Sequence, residues 1–579
     1  MSDSSDNALQ RLVHSLEQGA LAGALRIGLF CGAVVLVAWI YLSFGFRGLE
    51  AAEGIDQAQI AREIARGNGF TTLYIRPLAV AQLKDAGKPI QAKRFPETYH
   101  APLNPYLESL VLLPFKEAWN PPEESDQTYA PADQRIAALA VALFVLSIAV
   151  NYFTVKRMFG DKLAAIVAGL ITVCVLFWEF TSSGLPQILM VLLFSLVFYA
   201  FSRALESRET GGRYGLWLAG IGALFGLLAL AHGLTVWIFL GALVYISIAF
   251  KPRGLACLIP LAVFAALYAP WIVRNYQVTG TPFGIAWYAE FGSVGNSVTG
   301  WMRQSSTDLG SWSFNAFRGK IQSGLVGQLG RIYALLGGNV AAAMFFVSLL
   351  HRFRKTEIAS FRWAVLLMWG FAAIGMSVAG LPPENNISEN QLHVLFIPLM
   401  IPFGMAFTLN LWSRLEIEYQ WARVAFITMI FVLSGAQLIM GLIPSGARIV
   451  WPPYAPRIIQ AVGKWMTPGE MVASDMPWAV SWYADRKSLL LPATLQKFNE
   501  LNDFNELGLP INGLFLTPVT GNLAVSDVKT GEYKAWSAII LRDTDSIKMF
   551  PLKFRLDLPP LNQCVFYADS PRWATSAQR

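Results

Sequence analysis

The first residues able to do chemistry are three acids that follow an apolar stretch near the start of the chain. Glu50, Glu53 and Asp56 stand in the string GLEAAEGIDQAQIAREIARGNGF, directly after the apolar run 24–46. Alanines and isoleucines follow Asp56 at helical spacing as far as Gly67, so the pattern predicts a short helix with Asp56 near its N-cap. An aspartate there can simply cap the helix, but a carboxylate beside a membrane is also placed to act as general base on an acceptor hydroxyl. These residues alone leave both interpretations open.

The composition indicates that a bilayer is the main solvent of the chain that carries these acids. Of the 579 residues, 54% are hydrophobic and 14% are charged, whereas soluble globular chains have about 25% charged residues. Apolar stretches of about 20 residues, each long enough to cross a hydrocarbon layer of about 30 Å, recur through the first three quarters of the sequence. We predict an α-helical polytopic membrane protein with about eleven transmembrane helices. Their predicted ranges are 24–46, 132–155, 163–181, 184–205, 214–231, 233–250, 255–274, 332–350, 361–380, 391–412 and 422–443.

The placement of the positive charges predicts the orientation of these helices. The net charge is +7, and Lys and Arg cluster in alternate connections between the apolar segments, at 156–162, 203–213, 251–253, 351–362 and 414–423. By the positive-inside rule these connections are cytoplasmic, which places the N-terminus inside and the C-terminus outside. Topology, rather than nucleic-acid binding, accounts for the charge. The segment Pro102–Phe115 has too few apolar residues to cross and contains Pro105 and Glu108, so we predict a helix at the membrane interface.

Three long segments then lie on the outer side: 47–131, 275–331 and the residues after 443. Residues 444–579 have shorter apolar runs, more charges and alternating strings such as Gly513–Pro518, which predict a small soluble α/β domain beside a transmembrane domain at 1–443. This tail contains no Rossmann-type nucleotide-binding fingerprint. The four cysteines form neither a disulfide framework nor a CxxC metal site.

The order of these features resembles the GT-C superfamily of polyprenyl-phosphate-sugar-dependent glycosyltransferases. That superfamily includes the protein O-mannosyltransferases, of family 39 type in bacteria, and the lipid A aminoarabinose transferases. Its members carry an acid after the first span and then a helix of the form A-x-x-(small)-x-x-G-x-(aromatic), as Asp56 precedes Gly67 to Phe70 here. Similar strings are HAPLNPYLESLVLLPF at 100–115, PWIVRNYQVTGTPF at 270–283, QLHVLFIPLMIPFG at 391–404 and SDMPWAVSWYADRKSLLLP at 474–492. The resemblance extends over most of the membrane part, and the order of the strings is more specific than any one of them.

The resemblance implies an inverting glycosyltransferase of the cytoplasmic (inner) membrane. Such an enzyme moves a sugar from a polyprenyl-phosphate donor to a lipid, glycan or protein acceptor on the outer face. It implies Asp56 as general base with Glu53 as a second catalytic carboxylate, and outer-side cations that stabilise the departing phosphate. The candidates for phosphate or substrate binding are Arg76, Arg94, His100, Arg274, Arg303, Arg331 and His393. Each has a structural alternative, because interfacial residues also anchor spans, satisfy buried contacts or remain solvated loop charges.

The chain departs from the family at one position. Many members carry a second acid in the short outside loop after the third span, where this chain reads EFTSSGLPQILM, with Gln187 near that position and Glu179 eight residues earlier. Gln187 can donate hydrogen bonds to a substrate but carries no charge. Either one carboxylate suffices, or Glu53 or Glu179 substitutes, or the activity has changed.

The sequence predicts no cofactor other than the lipid-linked sugar that serves as donor. The DxD-type and W-W-D strings of oligosaccharyltransferases are not evident, so we expect no obligate metal, although Glu53 and Asp56 could bind one. Two other functions stay open. A lipid-linked sugar transporter or flippase would need protonatable groups at mid-membrane, which the predicted spans nearly lack, and a catalytically silent assembly subunit would retain only the fold.

Overall fold

The computed structural model describes residues 20–114, 129–292, 300–308, 313–381, 386–417, 419–442, 456–543, 550–558 and 564–573. These residues form a bundle of apolar helices and a mixed β-sheet that packs with the long connections of the bundle. The predicted domain boundary at residue 444 lies outside the described residues.

Within the described ranges, seven helices are long and apolar enough to cross a membrane. They are Gly28–Gly45, Pro131–Phe159, Gln187–Glu209, Leu258–Thr279, Thr356–Ala379, His393–Ser413 and Gln420–Gly441. The helices Asp161–Thr172 and Val175–Ser183 make an eighth span if they count as one, with a bend of 51° between them. Two shorter apolar helices, Gly215–Ala231 and Thr235–Ala249, meet at the turn that contains His232. The structure thus supports seven or eight spans, and the count of eleven stays a prediction.

The outer surface of this bundle is apolar, which indicates a lipid environment. Leu216, Ile248 and Trp421 are 82%, 64% and 71% exposed, although each lies in or beside an apolar helix. Exposing such side chains to water costs about 1.5–3 kcal/mol each, whereas acyl chains cover them without that cost. The protein is therefore a multi-pass membrane protein.

One predicted span, 332–350, is not a continuous helix. The chain forms the four-residue helix Ile332–Leu335 and then the helix Val340–Ser348. Between them, Gly337 and Gly338 take positive φ angles of 67° and 63°, which right-handed helices do not allow. Asn339 then begins the second helix by accepting a hydrogen bond from the amide of Ala342. The prediction of one unbroken helix here is wrong because apolar composition does not report the backbone break.

Several helices lie in the connections between the spans or after them. In the connections the helices are Ala52–Ala65, Pro77–Asp85, Leu103–Leu112, Ala286–Gly292 and Phe314–Gly330. After the last span they are Pro456–Trp465, Pro477–Ala479, Leu495–Asp503, Pro518–Gly521, Val525–Thr530 and Ser537–Ile540. The helix Leu103–Leu112, predicted at the interface, has 10 residues and is too short to cross.

The sheet joins the first long connection to the C-terminal residues. Its strands are β1 (Tyr74–Ile75), β2 (Met471–Ser474), β3 (Lys487–Leu490), β4 (Ile511–Leu516), β5 (Phe554–Leu558) and β6 (Cys564–Ala568). The order is β1-β3-β2-β4-β6-β5, with the first four strands parallel and the last two antiparallel. The C-terminal sheet expected from the sequence is thus present, and it takes one edge strand from a connection more than 390 residues earlier.

A buried arginine holds the same two parts of the chain together. The side chain of Arg62, fully buried in the helix Ala52–Ala65, donates to the carbonyl oxygens of Trp482 at 2.7 Å and Ser481 at 2.6 Å. Its guanidinium also lies 3.0 Å from the carboxylate of Asp485. Charged groups this deeply buried persist only where they are paired and hydrogen-bonded. The C-terminal segment therefore supports the helix that carries the predicted catalytic acids.

Candidate functional site

The helix Ala52–Ala65, which we call the site helix, carries Glu53 and Asp56. Its start is set by tertiary contacts: the amides of Glu50 and Ala51 donate to the carbonyl oxygens of Ser182 and Ser183 at 3.2 and 3.4 Å. Ala51 is therefore extended, and the helix begins one residue later. The expectation that Asp56 lies near the N-cap is wrong, because Asp56 is the fifth residue of the helix. Capping does not explain it.

Asp56 is a buried carboxylate with three polar partners. Oδ1 accepts a hydrogen bond from Gln59 at 3.0 Å, and Oδ2 accepts from Nη2 of Arg76 and from Nε2 of His100, the latter at 2.7 Å. Burial acts to raise the pKa of Asp56, but the positive charges of Arg76 and His100 outweigh it and hold the pKa below its ordinary value. Asp56 is therefore ionised at neutral pH.

Arg76 follows directly after β1, so the sheet positions it. Besides Asp56 it pairs with Glu97 at 3.4 Å, and its guanidinium lies over the rings of Tyr74 and Tyr99 at 4.1 and 4.9 Å. Desolvation opposes its charge, yet the two carboxylates raise its pKa above the ordinary value. A cation held this way neutralises the buried acids and has few directions left for a substrate phosphate.

His100 lies between two carboxylates. Its Nε2 faces Asp56, and its Nδ1 lies 3.7 Å from Oε2 of Glu389. The hydroxyl of Tyr99 donates to the other oxygen of Glu389. Desolvation acts to lower the pKa of His100, but the attraction of Asp56 and Glu389 outweighs it and raises the pKa. The imidazole therefore holds its proton to a higher pH than a free histidine does.

Glu53, the other predicted catalytic acid, is only partly buried and lies beside Asp56 and His100, which together with it and Arg76 we call the cluster. Burial and the negative charge of Glu389 raise the pKa of Glu53 to about 7 from its ordinary value of 4.5. Asp56 and Glu53 thus titrate far apart although they lie one helical turn from each other, an arrangement that is common where one group must be charged and a neighbour must hold a proton.

Glu389 and Tyr99 lie beside this cluster and were missed by the sequence reasoning. Glu389 lies in the connection before the span His393–Ser413, 290 positions after Tyr99, and only the fold brings the two together. Glu97 was also missed; it accepts the amides of Tyr99 and His100 at 2.6 and 3.0 Å and thereby shapes the turn that presents His100. The connection 381–390 contains two acids and no Lys or Arg. From the sequence, that pattern could have indicated Glu389 as a candidate site residue.

Gln187 has a specific partner in this arrangement. Its Nε2 donates to the carbonyl oxygens of Ser388 and Glu389 at 3.1 and 2.6 Å. The residue that stands near the family's second acid therefore holds the backbone of another acid. Glu179, considered as a substitute, lies on the helix Val175–Ser183 and is only partly buried.

The other cations predicted from the sequence lie in different parts of the structure. Arg274 is near the cluster: its Nη1 donates to the carbonyl oxygen of Glu97 at 2.7 Å, and its guanidinium stacks on Trp271 at 5.0 Å. Arg94 is exposed in the first connection. Arg303 is buried against the C-terminal segment, where it bonds the carbonyl oxygen of Leu491 at 2.9 Å.

His393 and Arg331 lie apart from Asp56, beside the helix Phe314–Gly330. His393 accepts a hydrogen bond from Trp369 at 2.9 Å, and its other ring nitrogen lies 3.0 Å from the side-chain oxygen of Gln328. Arg331 donates to the side chain of Asn386 at 2.8 Å. The structure therefore brings Asp56, Glu53, Arg76, His100, Gln187 and Arg274 together at one site, and it places Arg94, Arg303, Arg331 and His393 elsewhere.

A cavity of about 290 Å³ opens beside the cluster. Its lining includes the polar side chains of Tyr99, His100, Glu389 and Asn390 and the apolar side chains of Trp237 and Leu240, among others. Leu240 is 40% exposed on the flank of the bundle, so the lining reaches towards the lipid-facing surface. The lining includes His100 and Glu389 but not Asp56, which lies behind His100. Such a cavity fits an amphiphile with a polar head and an apolar tail.

No metal centre is evident in the parts of the chain that the structure describes. Among those residues, no group of three or more His, Cys, Asp or Glu side chains is arranged to hold an ion. The expectation that no metal is obligatory stays a prediction.

The comparisons with known proteins concern the fold. No family model and no curated protein matches the chain. Among solved structures, ArnT from Cupriavidus metallidurans bound to undecaprenyl phosphate is similar, with 13% identity and a TM-score of 0.51 over 94% of this chain and 98% of that chain. The apo state of the same protein gives 12% identity and a TM-score of 0.53 over 95% and 98%. The oligosaccharyltransferase of Archaeoglobus fulgidus in complex with Zn and sulfate gives 15% identity and a TM-score of 0.51 over 87% and 70%.

These likenesses concern the fold alone. The chain shares its fold with ArnT and with this oligosaccharyltransferase, and this is the fold that the resemblance of its sequence motifs predicted. The alignment with ArnT extends over nearly the whole length of both chains.

Proposed function

We propose that the protein transfers a sugar from a polyprenyl-phosphate carrier to an acceptor, with inversion at the sugar carbon. The observation that carries the proposal is the cavity whose lining combines the buried ionisable side chains of His100 and Glu389 with apolar side chains, among them Leu240 at the bundle surface. A lipid-linked sugar has the same two kinds of surface, since its chain stays in the bilayer while its phosphate and sugar remain at the interface. The fold class supports the proposal, and so does the similar structure of ArnT, which is bound to undecaprenyl phosphate.

The positive-inside pattern supports an orientation in which this site lies on the outer face of the cytoplasmic membrane. In that orientation the N-terminus is cytoplasmic and the sheet of the C-terminal residues lies outside. The eleven predicted spans belong to the same proposal, with Gly215–Ala231, Thr235–Ala249 and the broken segment 332–350 completing the bundle beyond the eight spans of sufficient length.

In the proposed reaction the acceptor's oxygen or nitrogen attacks the sugar carbon from the side opposite the phosphate. The bond from that carbon to the phosphate oxygen breaks, and its electron pair leaves with the lipid phosphate, which becomes a dianion. The proton of the acceptor moves to Nδ1 of neutral His100. Asp56, bonded to Nε2, orients the imidazole and stabilises the charge that it gains. The sequence assigned the base to Asp56 itself; because His100 lines the cavity and Asp56 does not, we place Asp56 one step behind it.

Glu389 takes the part of the second carboxylate in this proposal. It faces the cavity, and its Oε2 lies on the Nδ1 side of His100, where it stabilises the imidazolium that forms. Gln187 positions Glu389 through two backbone hydrogen bonds, so an amide near the family's acidic position is compatible with activity. Arg274, which bonds the backbone of Glu97 beside the cluster, is the cation that we assign to the departing phosphate.

The test compares Asp56→Asn and His100→Gln with the wild type and with Asp503→Asn, an exposed aspartate in the C-terminal residues. Purified protein in lipid vesicles is incubated with radiolabelled polyprenyl-phosphate sugars and extracted acceptors. We expect each site variant to lower transfer by about 10²- to 10⁴-fold, the usual contribution of a proton-transfer group, and Asp503→Asn to leave it unchanged. Full activity in His100→Gln would remove the proposed base. No transfer by the wild type from any donor, together with protein-dependent movement of the labelled lipid between leaflets, would favour a flippase instead.

The pH dependence is a second readout. The proposed base must be neutral, and the surrounding carboxylates raise the pKa of His100. The transfer rate should therefore increase with pH through a value above the ordinary histidine pKa of about 6.5. A rate that falls over the same range would contradict His100 as proton acceptor.

A further inference from the structure

A second cavity, of about 300 Å³, lies between the helices Phe314–Gly330 and Thr356–Ala379. We call it the cationic groove. One face of the helix Phe314–Gly330 and the residue after it line the groove with Lys320, Gly324, Gly327 and Arg331, which recur every three or four positions. Lys320 and Arg331 are 11 positions apart, which corresponds to about 16 Å along a helix. The groove thus has a positive residue at each end.

The floor of the groove is fixed by a polar network. The side-chain amide of Gln328, which is 4% exposed, donates to the carbonyl oxygen of Ala373 at 3.1 Å and to Ser377 at 2.8 Å. Its oxygen faces His393 at 3.0 Å. His393 was expected to hold phosphate; here it supports the residue that joins the two walls. Hydrogen bonds therefore join the two helices that form the walls of the groove.

The opposite side of the same helix is exposed and carries apolar side chains together with the polar Arg318 and Gln322. Phe314, Val326 and Leu329 are 65%, 64% and 59% exposed. In a multi-pass membrane protein, such side chains are covered by acyl chains, while Lys and Arg extend to the head-group level. A groove with cationic ends, formed by a helix that also exposes large apolar side chains, matches a lipid that carries a phosphate.

The groove adjoins the cavity of about 290 Å³ beside His100 and Glu389, which we call the reaction cavity. Lys320, in the groove, donates to the carbonyl oxygen of Ala289, which lines the cavity, at 3.3 Å. Asn390, in the cavity, donates to the carbonyl oxygen of Gly380, which lines the groove, at 2.8 Å. The reaction cavity, which is lined by Glu389, and the cationic groove are therefore neighbours, joined by these two hydrogen bonds.

We propose that the cationic groove binds the phosphate head of the polyprenyl carrier after its sugar has been transferred. The identity of the lipid rests on the proposed function, whereas the binding of a lipid phosphate does not. On transfer, the phosphate changes from a diester with one negative charge to a monoester with up to two. Glu389, which lines the reaction cavity, repels that added charge, and Lys320 and Arg331 in the groove attract it. The groove is thus a holding site through which the spent carrier leaves the reaction cavity.

Gly327 offers a way to close the groove without disturbing its walls. A Cβ added there would have no atom within 4 Å, so a large side chain projects into the open space of the groove. Gly330 is a matched control because a Cβ there also meets nothing within 4 Å, but this residue does not line the groove. Gly324 is unsuitable, since its Cβ would lie 2.9 Å from Ser377.

The experiment measures binding of polyprenyl phosphate to purified full-length protein in nanodiscs of neutral lipid. The variants are Gly327→Trp, Gly330→Trp and the double variant Lys320→Gln/Arg331→Gln, with thermal unfolding recorded for each. We expect at least tenfold weaker binding in Gly327→Trp and in the double variant, and wild-type binding in Gly330→Trp. Inorganic phosphate should compete only at far higher concentration than the lipid, because it lacks the chain. Wild-type binding in both groove variants, or equal competition by inorganic phosphate, would overturn the proposal.

This readout does not depend on catalysis. If the wild type binds polyprenyl phosphate through the groove but transfers no sugar, the holding site stands and the proposed function fails. If sugar is transferred and the groove variants bind the lipid as the wild type does, the proposed function stands and the holding site fails.

Discussion

Gly54 is the point at which the site helix rests on the turn after the helix Val175–Ser183. A Cβ at Gly54 would lie 2.0 Å from the carbonyl oxygen of Ser183 and 2.9 Å from the carbonyl carbon of Gly184. Real Cβ atoms essentially never approach other heavy atoms within 3.0 Å. The substitution Gly54→Ala therefore forces the site helix and the turn apart by about 1 Å, since the nearest atom is backbone and cannot rotate away.

The displacement acts directly on the proposed catalytic group. Gly54 lies next to Glu53 and two positions before Asp56, whose bond to His100 is 2.7 Å long. A shift of about 1 Å disrupts that hydrogen bond. Because reaction rates depend steeply on the position of catalytic groups, the transfer rate should fall by about 10²-fold. The fold should survive, because overpacking costs about 1–3 kcal/mol and alanine favours a helix over glycine by about 1 kcal/mol.

The assay is the rate of sugar transfer from a polyprenyl-phosphate donor, measured with the thermal unfolding midpoint of each protein. Gly220→Ala is the control: Gly220 lies within the apolar helix Gly215–Ala231, and a Cβ there meets no atom within 4 Å. Wild-type transfer by Gly54→Ala would refute the argument that this close approach positions the acids. An equal loss in Gly220→Ala would show that helical glycines affect activity by another route.

Three further predictions address the surroundings of the site. Because the pKa of Glu53 is about 7 when folded and about 4.5 otherwise, the folded protein binds an extra proton between these values, so stability should fall as pH rises through 7. In Glu53→Gln the free energy of unfolding should no longer fall over this pH range. If it changes with pH in the same way in both proteins from pH 4 to 8, the prediction is contradicted. Gln187→Leu should lower turnover by about tenfold or more, since the carbonyls of Ser388 and Glu389 lose their donors; unchanged turnover would count against the positioning role. Arg62→Met should destabilise the protein by about 3 kcal/mol and expose the C-terminal residues to proteolysis, because Asp485 loses one partner; wild-type resistance would show that Arg62 does not join the two parts.

The membrane character and the site helix were predictable because their signals are local. Hydropathy over about 20 residues does not depend on the fold, and seven of the predicted spans reappear as helices of sufficient length. The residues that follow Asp56 repeat at helical spacing up to Gly67, which takes a positive φ of 85°. The start of that helix was not predictable, because it depends on backbone bonds to Ser182 and Ser183, more than 130 positions away.

The roles of the site residues depended on contacts that no local pattern contains. Arg76 was expected to hold phosphate, but Asp56 and Glu97 engage its charge. His393 was expected at the same site and instead joins Trp369 to Gln328. Whether a cation is available to a substrate depends on which carboxylates the fold brings near it, and spacing along the chain does not report that.

The sequence by itself determined that this is a multi-pass membrane protein with an acidic site helix after its first span, since apolar length and helical periodicity are properties of neighbouring residues. Only the tertiary structure decided that Glu389 lies beside Tyr99 and His100 and that β1 belongs to the C-terminal sheet. Both results need segments some 290 and more than 390 positions apart to meet, and those meetings come from the packing of the bundle and the pairing of strands.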